Sequence, residues 1–65
     1  MYGLNVMIAR KKKKLTQDQV CTAVGIGRKT LSNIENGKVD NVTRELMLKL
    51  AEVLDSTVEY LFFSE

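Results

Sequence analysis

Between Leu15 and Lys38 the chain carries its helix starts and stops so close together that few folds can accommodate it. Thr16-Gln17-Asp18-Gln19 has the form of a capping box, in which the Thr16 hydroxyl and the Gln19 side chain each satisfy a free backbone N–H. Asp18, in the first turn, suits the positive end of the helix dipole. Val20, Cys21 and Val24 make the buried stripe, and Gly25 ends the helix where a positive φ is expected. After only Ile26 and Gly27 the next helix runs from Arg28 to about Asn36, with Leu31 and Ile34 facing inward, and Gly37 stops it.

The same helical spacing recurs on both sides of this unit. A first helix is expected over roughly Leu4 to Lys13, with Val6, Ala9 and Arg10 on one side and Met7 and Ile8 off it. Lys38 to Val42 reads as a polar loop. A fourth helix begins near the N-cap Thr43 with Glu45 in its first turn. Its stripe is Leu46, Met47, Leu50, Ala51 and Leu54, the pattern of a helix packed on a core. A short fifth helix is capped by Ser56 or Thr57, with Val58, Leu61 and Phe62 on its apolar side. Proline is absent and alternating β-branched runs are hard to find, so the expected fold is all-α, five short helices in a single domain over 1–65.

Composition narrows what such a domain can do. A chain of this size buries only ~60% of the surface its unfolded form exposes, so it needs support from a disulfide, a metal or a partner chain. One cysteine makes no internal disulfide, and with no histidine a structural zinc site lacks ligands, so a second copy of the chain is the expected support. The lack of histidine also removes Ser-His-Asp and Cys-His sites, and no catalytic residue is assigned. The longest apolar runs, such as Val6 to Ala9, are four residues, far below the ~20 that span a bilayer. No signal-peptide pattern is present, and an unpaired cysteine fits a reducing cytoplasm.

Charge is divided along the chain. Residues 1–38 hold eight basic against two acidic side chains, whereas residues 39–65 hold two basic against six acidic. The basic clusters are Arg10 to Lys14 and Arg28-Lys29, with Lys38 beyond. One half should attract a polyanion and the other repel it, the footprint of nucleic-acid binding.

Residues 17–36, taken as one unit, make two short helices joined by a sharp turn at Gly25, the helix-turn-helix arrangement in which the second helix enters the DNA major groove. Its close crossing demands a small residue, which Cys21 supplies, and Cys21 reads as core rather than as a redox switch. Arg28 can give two parallel hydrogen bonds to guanine O6 and N7, and Asn33 can do the same to adenine N6 and N7. Lys29 either reads guanine or holds a phosphate, and the amides around Gln17 at a helix start suit a phosphate.

These residues resemble the Cro and phage-repressor (XRE-type) group of helix-turn-helix regulators. The likeness rests on the Leu15-Thr16-Gln17 start, the central Gly25 and the Ile34-Glu35-Asn36-Gly37-Lys38 end. Met47 to Leu54 is similar to that family's fourth helix, and the likeness covers about residues 4–63. The resemblance implies a compact lambda-repressor-like domain that binds a palindromic operator as a homodimer. It implies a cytoplasmic, bacterial or phage-encoded transcription regulator, by default a repressor. By the same analogy Gln17 holds a phosphate and braces the recognition helix, while Arg28, Lys29, Ser32 and Asn33 reach base edges beside Thr30. Asn36, Lys38 and the loop after them contact the backbone, and Arg10 with Glu35 forms a buried ion pair.

The sequence departs from the family in places. Gly27 stands where Ser or Thr usually caps the recognition helix. Lys14 stands where Gly often ends the first helix, so either Lys14 is left-handed or that helix ends differently. Asp55 replaces a frequent Gly after the fourth helix. Lys11 to Lys14 serves either solubility or phosphate contact. Tyr60, Phe62 and Phe63 are too many aromatics for one short helix to bury, which nominates them for a dimer interface, with Phe62 also a core candidate and Tyr2, Met7 and Ile8 a weaker second patch. No cofactor, metal or small-molecule ligand is expected, nor a membrane. An antitoxin-type interaction module that also binds DNA is the alternative function.

Overall fold

A computed structural model describes residues 2–38 and 42–63 of the chain. Among these residues five helical elements follow one another: α1 (Tyr2–Lys12), α2 (Gln17–Val24), α3 (Arg28–Glu35), α4 (Arg44–Val53) and α5 (Glu59–Phe63). Among the described residues there is no strand.

The expected caps form. Gln19 N–H donates to the Thr16 hydroxyl at 3.1 Å while Thr16 N–H donates to Gln19 Oε1 at 2.8 Å, closing the capping box. Gly25 takes φ 88°, and its N–H reaches back to the Cys21 carbonyl at 2.7 Å. Thr43 Oγ1 accepts from Leu46 N–H, and Thr57, rather than Ser56, caps the last element by accepting from Tyr60 N–H at 3.0 Å. Among the described residues Lys14 and Asp55 are the non-glycine positions with positive φ, 58° and 52°, so Lys14 does adopt the left-handed conformation.

Two elements depart from expectation. α1 starts at Tyr2, ahead of Leu4, and ends at Lys12, one residue short of Lys13. Its first turn lies against the end of α3: a Cβ on Gly3 would come closer than 3.0 Å to the Ile34 and Glu35 carbonyl oxygens and the Gly37 amide nitrogen. Only glycine lets the two backbones approach so closely. α5 winds as a π-helix. Its wider turn separates sequence neighbours by a smaller angle, so adjacent Leu61 and Phe62 both reach the core while Phe63 points outward.

The core collects one stripe from every element. Val6, Val20, Leu31, Ile34, Leu50 and Leu61 are fully buried, with Ala9, Cys21, Val24, Ala51, Leu54 and Phe62 around them. Leu46 and Met47 pack only at its edge. Phe62, at 7% exposure, is therefore a core residue with little surface to offer a partner, unlike Phe63 at 70% and Tyr60 at 39%. Of the weaker patch, Ile8 is exposed and Met7 half-buried, while the Tyr2 side chain lies outside what is described.

Arg10 and Glu35 meet as expected. Arg10 Nε donates to Glu35 Oε2 at 2.6 Å and Nη2 donates to Oε1 at 3.3 Å, with side-chain exposures of 12% and 5%. Arg10 Nη1 also donates to the Leu15 carbonyl at 2.9 Å, bracing the turn that holds Lys14 left-handed. Among the described residues no buried side-chain polar atom lacks a partner, so the charge that Glu35 carries into the interior is fully hydrogen-bonded.

Two substitutions test this packing by chemical denaturation. Gly3→Ala forces α1 off α3 and should cost about 1–3 kcal/mol. Glu35→Ala strands the Arg10 guanidinium and should cost about 3 kcal/mol; an unchanged unfolding midpoint in either variant would refute the corresponding contact.

Candidate nucleic-acid interface

α3 is a short helix with two unlike faces. Leu31, Ile34 and Glu35 are buried, anchoring one side in the core. Arg28, Lys29 and Asn36 are exposed, and Ser32 and Asn33 half-buried. Spaced at i, i+1, i+4, i+5 and i+8, these five share one stripe on the opposite side. Thr30 is exposed but sits about 100° around the helix from Lys29, beyond the stripe's margin. The stripe is polar throughout and cationic at Arg28 and Lys29, with donors suited to base edges and phosphate oxygens.

The turn sets how α3 is presented. Gly25 reverses the chain, and Ile26 N–H also donates to the Cys21 carbonyl at 3.1 Å, so the link to α3 is short and fixed. Gly27 caps α3 in extended conformation without a side-chain hydrogen bond. At the other end, Asn36 Nδ2 donates to the Ser32 carbonyl at 2.8 Å, and Lys38 N–H donates to the Asn33 carbonyl at 2.8 Å. Asn36 thus closes its own helix while staying on the surface. Lys38 is exposed beyond Gly37, whose φ is 69°. The expected backbone-contacting loop past Lys38 falls on residues 39–41, outside the described residues.

Gln17 joins the buried and exposed sides. Its Nε2 donates to Glu35 Oε1 at 3.1 Å, and its Oε1 accepts from Arg28 Nη2 at 3.3 Å. A continuous chain therefore runs from Arg10 through Glu35 and Gln17 to Arg28 at the surface. Gln17 of α2 is thereby tied to both ends of α3.

One contact was not anticipated from the sequence, which gave Asp18 only a helix-dipole role. Arg28 Nε lies 3.3 Å from Asp18 Oδ1, with side-chain exposures of 64% and 70%. The sequence offered only an acidic residue near the start of one helix and a basic residue at the start of the next; their meeting depends on the angle between the two helices. Cys21 lies beneath this surface. Burial raises its thiol pKa above the ordinary 9.0, with the Asp18 carboxylate adding to the effect and Arg28 opposing it. Among the described residues no three His, Cys, Asp or Glu side chains converge to hold a metal, and no helix is long and apolar enough to cross a membrane.

The fold and sequence can be set beside known proteins. No curated protein matches the sequence significantly. Among solved structures, the SinR protein–SinI protein complex contains a chain that superposes with a TM-score of 0.86 at 27% identity, over 95% of this chain and 60% of that one. The chain thus spans about three fifths of that relative's length. A crystal structure of SinR, the master regulator for biofilm formation, in complex with DNA superposes with a TM-score of 0.85 at 28% identity, over 94% of this chain and 97% of that one. The helix-turn-helix family model matches residues 6–61, spanning all but the margins of the fold. The chain belongs to the helix-turn-helix family, in its Cro and repressor-like branch.

Proposed function

We propose that the chain is a sequence-specific DNA-binding transcription regulator that inserts α3 into the major groove. The observation that carries this reading is the two-sided character of α3: a buried stripe that fixes the helix and an opposed polar, cationic stripe on the surface. The SinR structure in complex with DNA supports it, since its fold is shared over nearly the whole chain. In this reading Arg28 and Asn33 read base edges, Lys29 reads guanine or holds a phosphate, and Ser32 contributes a hydroxyl to either. Gln17, Asn36 and Lys38 hold the phosphate backbone, with Thr30 at the edge of the contact. Regulation proceeds without catalysis, by repression through occlusion of an operator.

Two copies would bind an imperfect palindrome, with recognition helices ~34 Å apart. Support for a dimer comes from α4 and α5. Val42, Arg44, Met47, Leu48, Val58 and Phe63 line an apolar groove of about 500 Å³. Leu48 is 53% exposed and Phe63 70%, a large apolar surface for so small a domain. Residues 39–65 carry the acidic surplus, so a dimer joined there would turn its negative sides away from the duplex.

Binding assays test the roles. Arg28→Ala should weaken specific binding by about 1–3 kcal/mol and relax discrimination at one base pair. Lys38→Ala should weaken all sequences alike and lower the salt slope by ~1. Equal losses for Arg28→Ala on random and selected DNA would remove Arg28 from base reading. Phe63→Asp should shift sedimentation toward the monomer; a sedimentation profile matching wild type would remove Phe63 from the interface.

A further inference from the structure

The two contacts that Arg28 makes among the described residues fall on one edge of its planar guanidinium. Nε faces Asp18 Oδ1 at 3.3 Å, and Nη2 donates to Gln17 Oε1 at 3.3 Å. The neighbouring edge, formed by Nη1 and Nη2, still carries a parallel pair of N–H groups. That is the fork needed for guanine O6 and N7. Gln17 is itself held by Glu35, and Glu35 by Arg10, so one of the two supports of Arg28 is anchored in the interior.

The other support, Asp18, has a different character. It is a carboxylate, 70% exposed, on the surface that would face the duplex. An exposed pair of this kind adds little to folding stability. Its effect appears on docking, because DNA presents one negative charge per ~1.7 Å of axis. If Arg28 left Asp18 to reach a base, a bare carboxylate would be stripped of water beside phosphates, which is costly. If Arg28 keeps Asp18 on Nε and offers its Nη1–Nη2 edge, no charge is left uncompensated and both acceptors of guanine are met.

We propose that Asp18 is a positioning residue for base reading. It holds Arg28 by Nε so that the free edge faces guanine, and it cancels the Arg28 charge so that this side chain confers discrimination rather than general attraction to phosphate. The proposal rests on the DNA-binding reading above and deepens it. It implies that removing the carboxylate moves two quantities in opposite directions. General affinity rises, because an anion has left the interface and Arg28 is free to swing to a phosphate. Discrimination falls, because the ordering of a long side chain is then charged to the binding step.

The test compares wild type, Asp18→Asn, Asp18→Glu and Arg28→Ala by fluorescence anisotropy on three duplexes. The first is the strongest duplex that the wild-type chain enriches from a random-sequence pool. The second carries an A·T pair in place of the G·C pair whose preference Arg28→Ala abolishes. The third is a scrambled duplex of the same composition. For Asp18→Asn we expect tighter binding to the scrambled duplex, a salt slope steeper by ~0.9, and a G·C preference reduced roughly two- to ten-fold. Asp18→Glu, which keeps the carboxylate, should retain the wild-type salt slope. Circular dichroism should show unchanged helicity, since the Thr16–Gln19 cap does not involve Asp18. A purely structural role would instead weaken all three duplexes together. An Asp18→Asn variant that keeps the full G·C preference overturns the role of Asp18 while leaving the DNA-binding reading intact. A wild-type chain that enriches no sequence and ignores every duplex at low salt overturns that reading itself.

Discussion

An eight-residue helix does not hold its shape in water, because nucleating it costs more than so few hydrogen bonds return. α3 is such a helix, and its straightness and direction are borrowed from what it is packed on. Leu31 and Ile34 are fully buried, and Glu35 is tied by Arg10 from α1 and by Gln17 from α2. Apolar contact fixes where the helix lies, but such contact is non-directional. The hydrogen-bonded carboxylate adds direction, limiting how far α3 can roll about its own axis. The outward stripe is only as well aimed as that rotation is well defined.

The electrostatics follow the same division of labour. The basic surplus lies in the segment that holds α1 to α3, and the acidic surplus in the segment that holds α4 and α5. A dipolar molecule of this kind orients in the field of a polyanion before contact. Within the basic half, Glu35 is neutralised inside the fold and Asp18 is paired with Arg28 at its surface. Neither acid of that half is left to oppose a polyanion alone.

Much of this was legible in the residues alone. Capping chemistry is local, so Thr16, Gly25 and Thr43 could be read with their roles, and the helix-turn-helix unit with them. The core stripe of α3 was equally plain from spacing. What escaped the sequence depends on the meeting of distant segments. Gly3 looks unremarkable until the backbone of α3 is found against it. The π turn of α5 has no signature of its own, since it answers the need to bury Leu61 and Phe62 together. The Asp18–Arg28 pair needed the angle between two helices, which spacing along the chain does not encode. The resemblance to the Cro and repressor group supplied the Arg10–Glu35 pair, which spacing could not.

Arg10 shows how little freedom so small a molecule keeps. Its three guanidinium nitrogens serve the Glu35 carboxylate through Nε and Nη2 and the Leu15 carbonyl through Nη1. A lysine offers one ammonium on a flexible stem and has no planar fork to span those acceptors at once. Keeping the positive charge at this position is therefore not enough. Position 10 answers to shape as much as to charge, and a replacement there leaves the Glu35 carboxylate and the Leu15 carbonyl short of donors together.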